Sequence, residues 1–332
     1  MKRSMRAIGI LAIAATTVVL GTGSGAATTL PAPGWALTNI NIGSVTSTGA
    51  GVTIYVLDGG IDFGNPDFGG RPSLAWDYSG DPTTPPGTTV EADGKTIDGH
   101  GNAMASLAAG TKWGVAKQAT IKDVKVEACE CPDAGRMIAG IDFVESDVAA
   151  HNLQNKAVAV ISSNWYGTQD DIKNAVNGLW AAGVFVAVSS GNNQSVLMTD
   201  NACSWPPANA AGAVVVGASD VNNDEAYQEA VRADDGSTIH WDSTFGPCLD
   251  MFAPGVQVPA DMVGGGDELV NGTSFAAPLV AGAAALYLSK FGPTPPATVK
   301  SWLLAHASAM HTTQQSWIFG PTPTKLLNLS GL

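Results

Sequence analysis

Four polar residues interrupt apolar segments of this sequence at places where they could do chemistry. Asp58 ends the run VTIYVLD, His100 stands between glycines in DGHG, and Ser274 opens the small-residue segment SFAAPLVAGAAAL. A serine hydroxyl is a weak nucleophile unless a base takes its proton and a third group fixes that base. These residue types therefore predict nucleophilic catalysis by Ser274, His100 and Asp58. Asn192, in the turn GNN, would donate its amide to the oxyanion that forms.

The segments around these residues predict an α/β fold. Predicted strands lie at 52–58, 119–126, 158–165, 184–190 and 213–219. They are rich in Val and Ile and lack a strict alternation of apolar and polar residues, as expected for parallel strands covered on both faces. Predicted helices lie at 100–110, 134–152, 169–182, 274–291 and 296–306. This alternation indicates a doubly wound, mostly parallel sheet with helices on both faces. Such sheets bind ligands where strands end and helices begin, which is where the four polar residues stand.

Composition limits the class of protein. The chain has 332 residues, 45% of them hydrophobic, so it can bury a large core. Its formal net charge of −13 disfavours nucleic acid and anionic membrane surfaces as partners, because like charges repel. An acidic excursion at 222–236 and a Pro/Gly/Thr segment at 80–89 are predicted to lie on the surface.

Residues 1–27 are predicted to be a secretory signal peptide. Basic MKRSMR is followed by the apolar run AIGILAIAATTVVLG and by small residues suited to cleavage after Ala27. The alternative is an uncleaved membrane anchor, although the apolar run is short for a span of about 20 residues. Cleavage would leave 28–332 as one domain of an extracellular protein without membrane attachment, in which disulfides are permitted.

The order of the three candidate residues separates two serine-hydrolase architectures. An α/β-hydrolase runs Ser, Asp, His and carries its serine in G-x-S-x-G. Here the order is Asp58, His100, Ser274, and the serine lies in Gly-Thr-Ser-Phe-Ala. The α/β-hydrolase interpretation is therefore excluded on both counts.

The motifs resemble those of subtilisin-like serine proteases of the proteinase K and aqualysin branch. The matching segments include GVTIYVLDGGID, DGHG, GVFVAVSSGNN, FGPCLDMFAPG and NGTSFAAPLVAGAAALYL, and the resemblance extends over roughly 35–332. It implies a subtilisin-like three-layer fold and a secreted serine endopeptidase that works through an acyl-enzyme and needs no cofactor for its chemistry. Polypeptide substrates and a proteinaceous inhibitor are the partners that it implies.

This resemblance assigns disulfide partners to two of the four cysteines. Spacing alone allows three pairings. The resemblance implies a disulfide between Cys203 and Cys248, whereas Cys129 and Cys131 stay open as two thiols or as a strained bridge across one residue. Too few ligands are visible near them for a zinc site.

A structural calcium site is a second implication of the resemblance. Asp250 matches a family calcium ligand, with backbone carbonyls near Ala211 and Ala213 completing the oxygen set. The alternative is a solvated or salt-bridged aspartate.

The predicted substrate cleft departs from the family pattern. Ser163, Asn164, Trp165 and Tyr166 stand where the family has Ser-Leu-Gly-Gly, and CECPDAG at 129–135 replaces a Gly-Ser-Gly-rich wall. We predict that the four residues bind substrate and that the two aromatic rings narrow the pocket. A local shift that turns Trp165 to solvent is the alternative. A subtilase-fold binding protein with a blocked cleft is the competing function.

Three further departures from the family pattern concern Gly59, Ala103 and the prodomain. Gly59 lacks the hydroxyl that the family has after its catalytic aspartate, and Ala103 stands where the family has a second histidine, which removes a metal pair. No family-like prodomain is recognisable before the segment that matches a mature N-terminus. We therefore expect the chain to refold from denaturant without an added prodomain.

Overall fold

The structure is a computed structural model. It describes residues 34–80, 88–90, 96–127, 133–193, 201–231, 238–311, 313 and 321–332. The predicted signal peptide and the residues Cys129 and Cys131 lie outside the described residues. Those predictions are therefore untested.

Helices and strands alternate through the described part of the chain. The α-helices are α1 (Trp35–Asn39), α2 (His100–Ala109), α3 (Ala134–Ala150), α4 (Asp170–Ala181), α5 (Thr273–Phe291) and α6 (Pro296–His306). The strands are β1 (Thr53–Asp58), β2 (Pro72–Asp77), β3 (Thr88–Val90), β4 (Thr96–Asp98), β5 (Thr120–Lys125), β6 (Ala157–Ile161), β7 (Val184–Ser189), β8 (Asn192–Asn193), β9 (Val214–Ser219), β10 (Tyr227–Val231), β11 (Thr238–Ser243), β12 (Met251–Pro254), β13 (Val258–Asp261), β14 (Asp267–Val270), β15 (Ser308–Ala309) and β16 (Lys325–Leu326).

The central sheet has nine strands in the order β15-β16-β12-β9-β7-β6-β1-β5-β2. Its pairs are parallel from β16 through β2, and β15 alone pairs antiparallel, with β16. All five predicted strands belong to this sheet, and the doubly wound α/β prediction is confirmed. The predicted strand 158–165 ends at Ile161, because the chain after it leaves the sheet and the Trp165 N–H donates to the Pro206 carbonyl at 2.9 Å.

Helices cover both faces of the sheet, which makes three layers. One core cluster joins α2 and α5 to the sheet through residues such as Val56, Ile121 and Leu279. The other joins α3 and α4 to the opposite face through residues such as Leu57, Val124 and Ile141. Alternate residues of one strand therefore enter different cores, which explains why the strands lack a strict alternation of apolar and polar residues.

Helix α5 is apolar on all sides because it lies inside the protein. Among the described residues it is the one helix long and apolar enough to cross a membrane, and 83% of its apolar window is buried in the fold. This burial is typical of a core helix.

Short antiparallel hairpins extend beyond the central sheet. In the acidic excursion, β10 pairs with β11, and Tyr227 is 56% exposed at its start. β13 pairs with β14 close to the N-terminus of α5. The sequence analysis missed β2, which begins with a proline and has only one fully buried residue, as an edge strand can.

Candidate active site

Asp58 and His100 meet where β1 ends and α2 begins. Nδ1 of the imidazole lies 2.9 Å from both carboxylate oxygens of Asp58, and the Gly59 N–H donates to one of them at 2.7 Å. The Asp58 side chain is 2% exposed and that of His100 is 28% exposed. Because an ionised carboxylate only accepts, Nδ1 carries the proton and Nε2 is left as the base.

Gly101 lets α2 begin directly beside this carboxylate. A Cβ at this position would lie 2.5 Å from the Gly60 carbonyl oxygen and 3.1 Å from the Asp58 Oδ1. A larger residue would therefore push the start of the helix away from β1. The glycine after His100 thus permits the contact between the imidazole and the carboxylate.

Ser274 is the second residue of α5, and this helix packs against α2. The neighbouring Phe275 ring has its centroid 5.4 Å from that of the His100 imidazole. The Ser162 hydroxyl donates to the Ser274 carbonyl oxygen at 3.1 Å. The fold therefore brings the serine, histidine and aspartate of the predicted triad to one edge of the sheet, although they are far apart in sequence.

The Asn192 amide is oriented by Thr273, the residue before the serine. Oδ1 of Asn192 accepts hydrogen bonds from the N–H and from the hydroxyl of Thr273, both at 2.9 Å. A Cβ at Gly272 would lie 3.4 Å from the Asn192 Nδ2, so the amino group faces the start of α5. Gly272 has φ 151°, a backbone conformation that favours glycine. Together these contacts direct the Nδ2 hydrogens toward the start of α5, the helix whose second residue is Ser274.

A model of the subtilase family matches residues 49–322. This chain belongs to the subtilase family. The match covers the three triad candidates and Asn192 together.

Individual relatives agree with this assignment. The chain is 30% identical over 266 residues to alkaline serine exoprotease A of Vibrio alginolyticus, covering 80% of this chain and 43% of that protein. It is 34% identical over 241 residues to alkaline serine protease ver112 of Corniculantispora psalliotae, covering 72% of this chain and 55% of that protein. The chain thus spans only about half the length of these relatives.

A solved structure supports the fold. The chain superposes on a cold-adapted subtilisin-like serine proteinase with a TM-score of 0.69 and 29% identity, covering 89% of this chain and 97% of that one. The prediction of a subtilisin-like three-layer fold is confirmed.

The predicted substrate wall has most of its side chains turned inward. The Ser163 hydroxyl donates to the Glu127 carboxylate. The Asn164 side-chain amide donates to the Ser189 carbonyl oxygen and accepts from the Ser189 hydroxyl. Trp165 is half-buried and packs against the core on the α3 side of the sheet. Tyr166 is 60% exposed. The Trp165 ring is thus part of the core packing, which neither the narrowed-pocket prediction nor the solvent-exposed alternative had anticipated.

Asp250 is held by a lysine of the protein itself. Its Oδ2 lies 2.8 Å from the Lys300 ammonium and accepts the Val215 N–H at 2.9 Å. The same ammonium donates to the Ala213 carbonyl at 2.8 Å. These contacts do not fit the predicted calcium site, because a cation already binds two of its predicted oxygen ligands. The salt-bridged alternative describes Asp250 in this structure.

The predicted disulfide between Cys203 and Cys248 is confirmed. The two sulfur atoms are bonded, the Cα atoms are 5.2 Å apart, and the bond closes a loop with a sequence separation of 45. It lies on the α3 side, where Cys248 packs against that core.

Three residues near the site had not been found in the sequence. Thr273 orients Asn192, Glu127 accepts from Ser163, and Asp123 is a fully buried acid beneath the triad. Asp123 stands between two lysines in β5, so its charge alone did not distinguish it in the sequence. The partners of Thr273 and Glu127 lie on distant segments, so the sequence offered no signal for these two residues either.

Proposed function

We propose that this chain is a serine endopeptidase that hydrolyses peptide bonds through an acyl-enzyme. The bifurcated hydrogen bond from the His100 Nδ1 to both carboxylate oxygens of Asp58, at the start of α2 next to the helix that carries Ser274, is the observation that carries this proposal. The relatives are named as serine proteases, which supports the same activity. A secreted, extracellular location and polypeptide partners, including a proteinaceous inhibitor, are part of the proposal.

The chemistry follows from the tautomer of His100. Nε2 takes the hydroxyl proton while the Oγ of Ser274 bonds to the scissile carbonyl carbon, and the carbonyl oxygen becomes an oxyanion. The C–N bond then breaks, and the imidazolium returns its proton to the leaving amine. Water, activated by the same Nε2, hydrolyses the ester and restores the serine.

Charge that develops during these steps has preset partners. Asp58 stabilises the imidazolium, and the Asn192 Nδ2 faces the start of α5, where the oxyanion would form. The backbone N–H groups at this helix terminus and its dipole add favourable potential. These groups need little rearrangement during the reaction, because Thr273 already fixes the amide.

Substrate selection is proposed to differ from that of other subtilases. Ser163 and Asn164 are engaged in hydrogen bonds, so Tyr166 is the wall residue most available to a substrate. Its ring contacts Trp205 edge-on, with the centroids 5.1 Å apart. The blocked-cleft binding protein is not favoured, because Trp165 packs into the core and Tyr166 is exposed.

Labelling by phenylmethanesulfonyl fluoride tests the catalytic part of the proposal. We expect covalent modification of Ser274, identified by peptide mass mapping, and its loss in His100→Ala. Ser289→Ala is the matched control, because this serine lies at the far end of the same helix, where its hydroxyl donates to the Ala50 carbonyl, and its loss should not affect labelling. A folded protein whose Ser274 does not react would contradict the proposal.

Digestion of reduced, unfolded casein tests the endopeptidase part. Internal cleavage should release fragments from the middle of the chain, and Ser274→Ala should release none. Removal of terminal residues alone would assign the chain to the exopeptidases.

A further inference from the structure

A buried acid lies directly behind the catalytic aspartate. Asp123 in β5 pairs in register with Val56 of β1, and Lys125 pairs with Asp58. Val56 and Ile121 point into the core on the α2 side, so Asp123, two residues after Ile121, points there as well. Asp123 is 0% exposed.

The carboxyl group of Asp123 binds the turn that follows Asp58. The Ile61 N–H donates to its Oδ2 at 3.2 Å. The next residue of this turn, Asp62, donates its N–H to the Asn102 amide oxygen of α2 at 3.1 Å. The turn is therefore fixed from β5 on one side and from the helix that carries His100 on the other.

The other oxygen of Asp123 indicates its ionisation state. Oδ1 is buried and has no hydrogen-bond partner among the described residues. An ionised carboxylate buried with one backbone N–H would be poorly solvated, and Asp58 adds a second negative charge nearby. A protonated carboxyl group is uncharged and is therefore the more stable form in this buried position.

We propose that Asp123 is a positioning residue of the catalytic site, which as an uncharged acid holds the 59–62 turn so that Asp58 orients His100. This inference rests on the proposed peptidase function. The Asp123 carboxyl touches neither substrate nor reacting atoms, and acts through the turn. Its ionisation would place a second anion beside Asp58, and the turn would have to open to solvate it.

Charged groups from each neighbouring element act on this acid. The pKa of Asp123 is raised to about 8, mainly by burial, with a smaller upward contribution from the Asp58 and Asp77 carboxylates of β1 and β2. The Ile61 N–H and the ammonium of Lys125 oppose this rise in pKa. From α2, His100 faces the cluster across Asp58.

The pH dependence of Ser274 sulfonylation tests the inference without knowledge of the natural substrate. In the wild type, the rate constant with phenylmethanesulfonyl fluoride should fall about tenfold between pH 7 and pH 9, as Asp123 ionises. Asp123→Asn retains an uncharged acceptor for the Ile61 N–H. Its rate constant should therefore not show this decrease between pH 7 and pH 9, which we call the alkaline limb. Asp123→Ala removes the acceptor and should react about tenfold more slowly at pH 6, whereas the asparagine variant should recover most of the rate.

Controls separate this inference from the proposed function and from misfolding. Asp147→Asn removes a carboxyl group on the other face of the sheet and should keep the wild-type alkaline limb. Near-UV circular dichroism verifies that each variant is folded. If the alanine variant does not fold, the comparison of the pH profiles of the wild type and Asp123→Asn still tests the inference. A wild type that fails to react overturns the proposed peptidase. A reactive wild type whose pH profile coincides with that of Asp123→Asn overturns the role of Asp123 alone.

Discussion

The hydroxyl and the N–H of Thr273 both donate to Oδ1 of Asn192, each at 2.9 Å. This pair of bonds fixes which end of the amide faces Ser274. An amide in this orientation presents Nδ2 as a donor and keeps its own oxygen away from a developing negative charge. The residue before the serine therefore orients the amide that we propose as the oxyanion donor.

Replacement of Thr273 by valine should reduce kcat by about fivefold with little change in KM. The substitution removes one of the two bonds that hold Asn192, a loss of about 1 kcal/mol in an interaction that matters most in the transition state. Steady-state kinetics on casein-derived peptides measure this, and Thr273→Ser, which keeps the hydroxyl, is the matched control. Equal losses in both variants would show that the hydroxyl is not responsible.

Removal of the Asn192 amide itself should cost more. Asn192→Leu should lower kcat by about 10²–10³-fold, the range measured for the loss of an oxyanion donor in subtilisin, a member of the same family. The measurement is again kcat, with peptide binding followed separately through KM. A variant that loses substrate affinity and keeps its kcat would place Asn192 in binding instead.

Lys300→Met should destabilise the fold by about 1–3 kcal/mol, since hydrogen bonds to charged groups contribute about this much. The variant leaves the mostly buried Asp250 carboxylate without its ammonium partner. Urea unfolding measures the loss in free energy of unfolding. A double-mutant cycle with Asp250→Asn then gives the interaction energy between Lys300 and Asp250. CaCl2 should raise the Tm of Lys300→Met more than that of the wild type, because the Asp250 and Ala213 oxygens become free. An equal response of both proteins would argue against this account.

Loss of the Cys203–Cys248 bond should lower the free energy of unfolding by about 4 kcal/mol. On the chain-entropy model, this value follows from a loop with a sequence separation of 45. The double variant Cys203→Ala/Cys248→Ala avoids a free thiol and is compared with the wild type by urea unfolding. A loss well below 1 kcal/mol would show that the unfolded chain is not restricted by this loop.

Ionisation of Asp123 should make stability fall as pH rises. Its folded pKa of about 8 lies above the ordinary value of 3.8, so between these pH values the folded state binds more protons than the unfolded state. Stability from this group is therefore fully present below about pH 4 and is lost as pH rises to about 8. Asp123→Asn should gain stability relative to the wild type over this window, measured by urea unfolding at pH 4, 6 and 8. A constant difference between the two proteins would contradict the shift.

The sequence by itself determined the class of fold and predicted the chemistry that we propose. Continuous Val- and Ile-rich runs predicted the parallel strands, because a strand covered on both faces needs apolar residues at every position. The glycine-flanked His100 and the order of Asp58, His100 and Ser274 predicted nucleophilic catalysis. These signals are local or depend only on order along the chain.

Only the tertiary structure decided which partner each polar group meets. Lys300 binds Asp250 from 50 residues away, and Trp165 packs into the core where a narrowed pocket was predicted. Asp123 became informative only when its register beside β1 placed it behind Asp58. The physical reason is that burial and hydrogen bonding are set by side chains that meet across the sheet, and their spacing in the sequence does not determine those contacts.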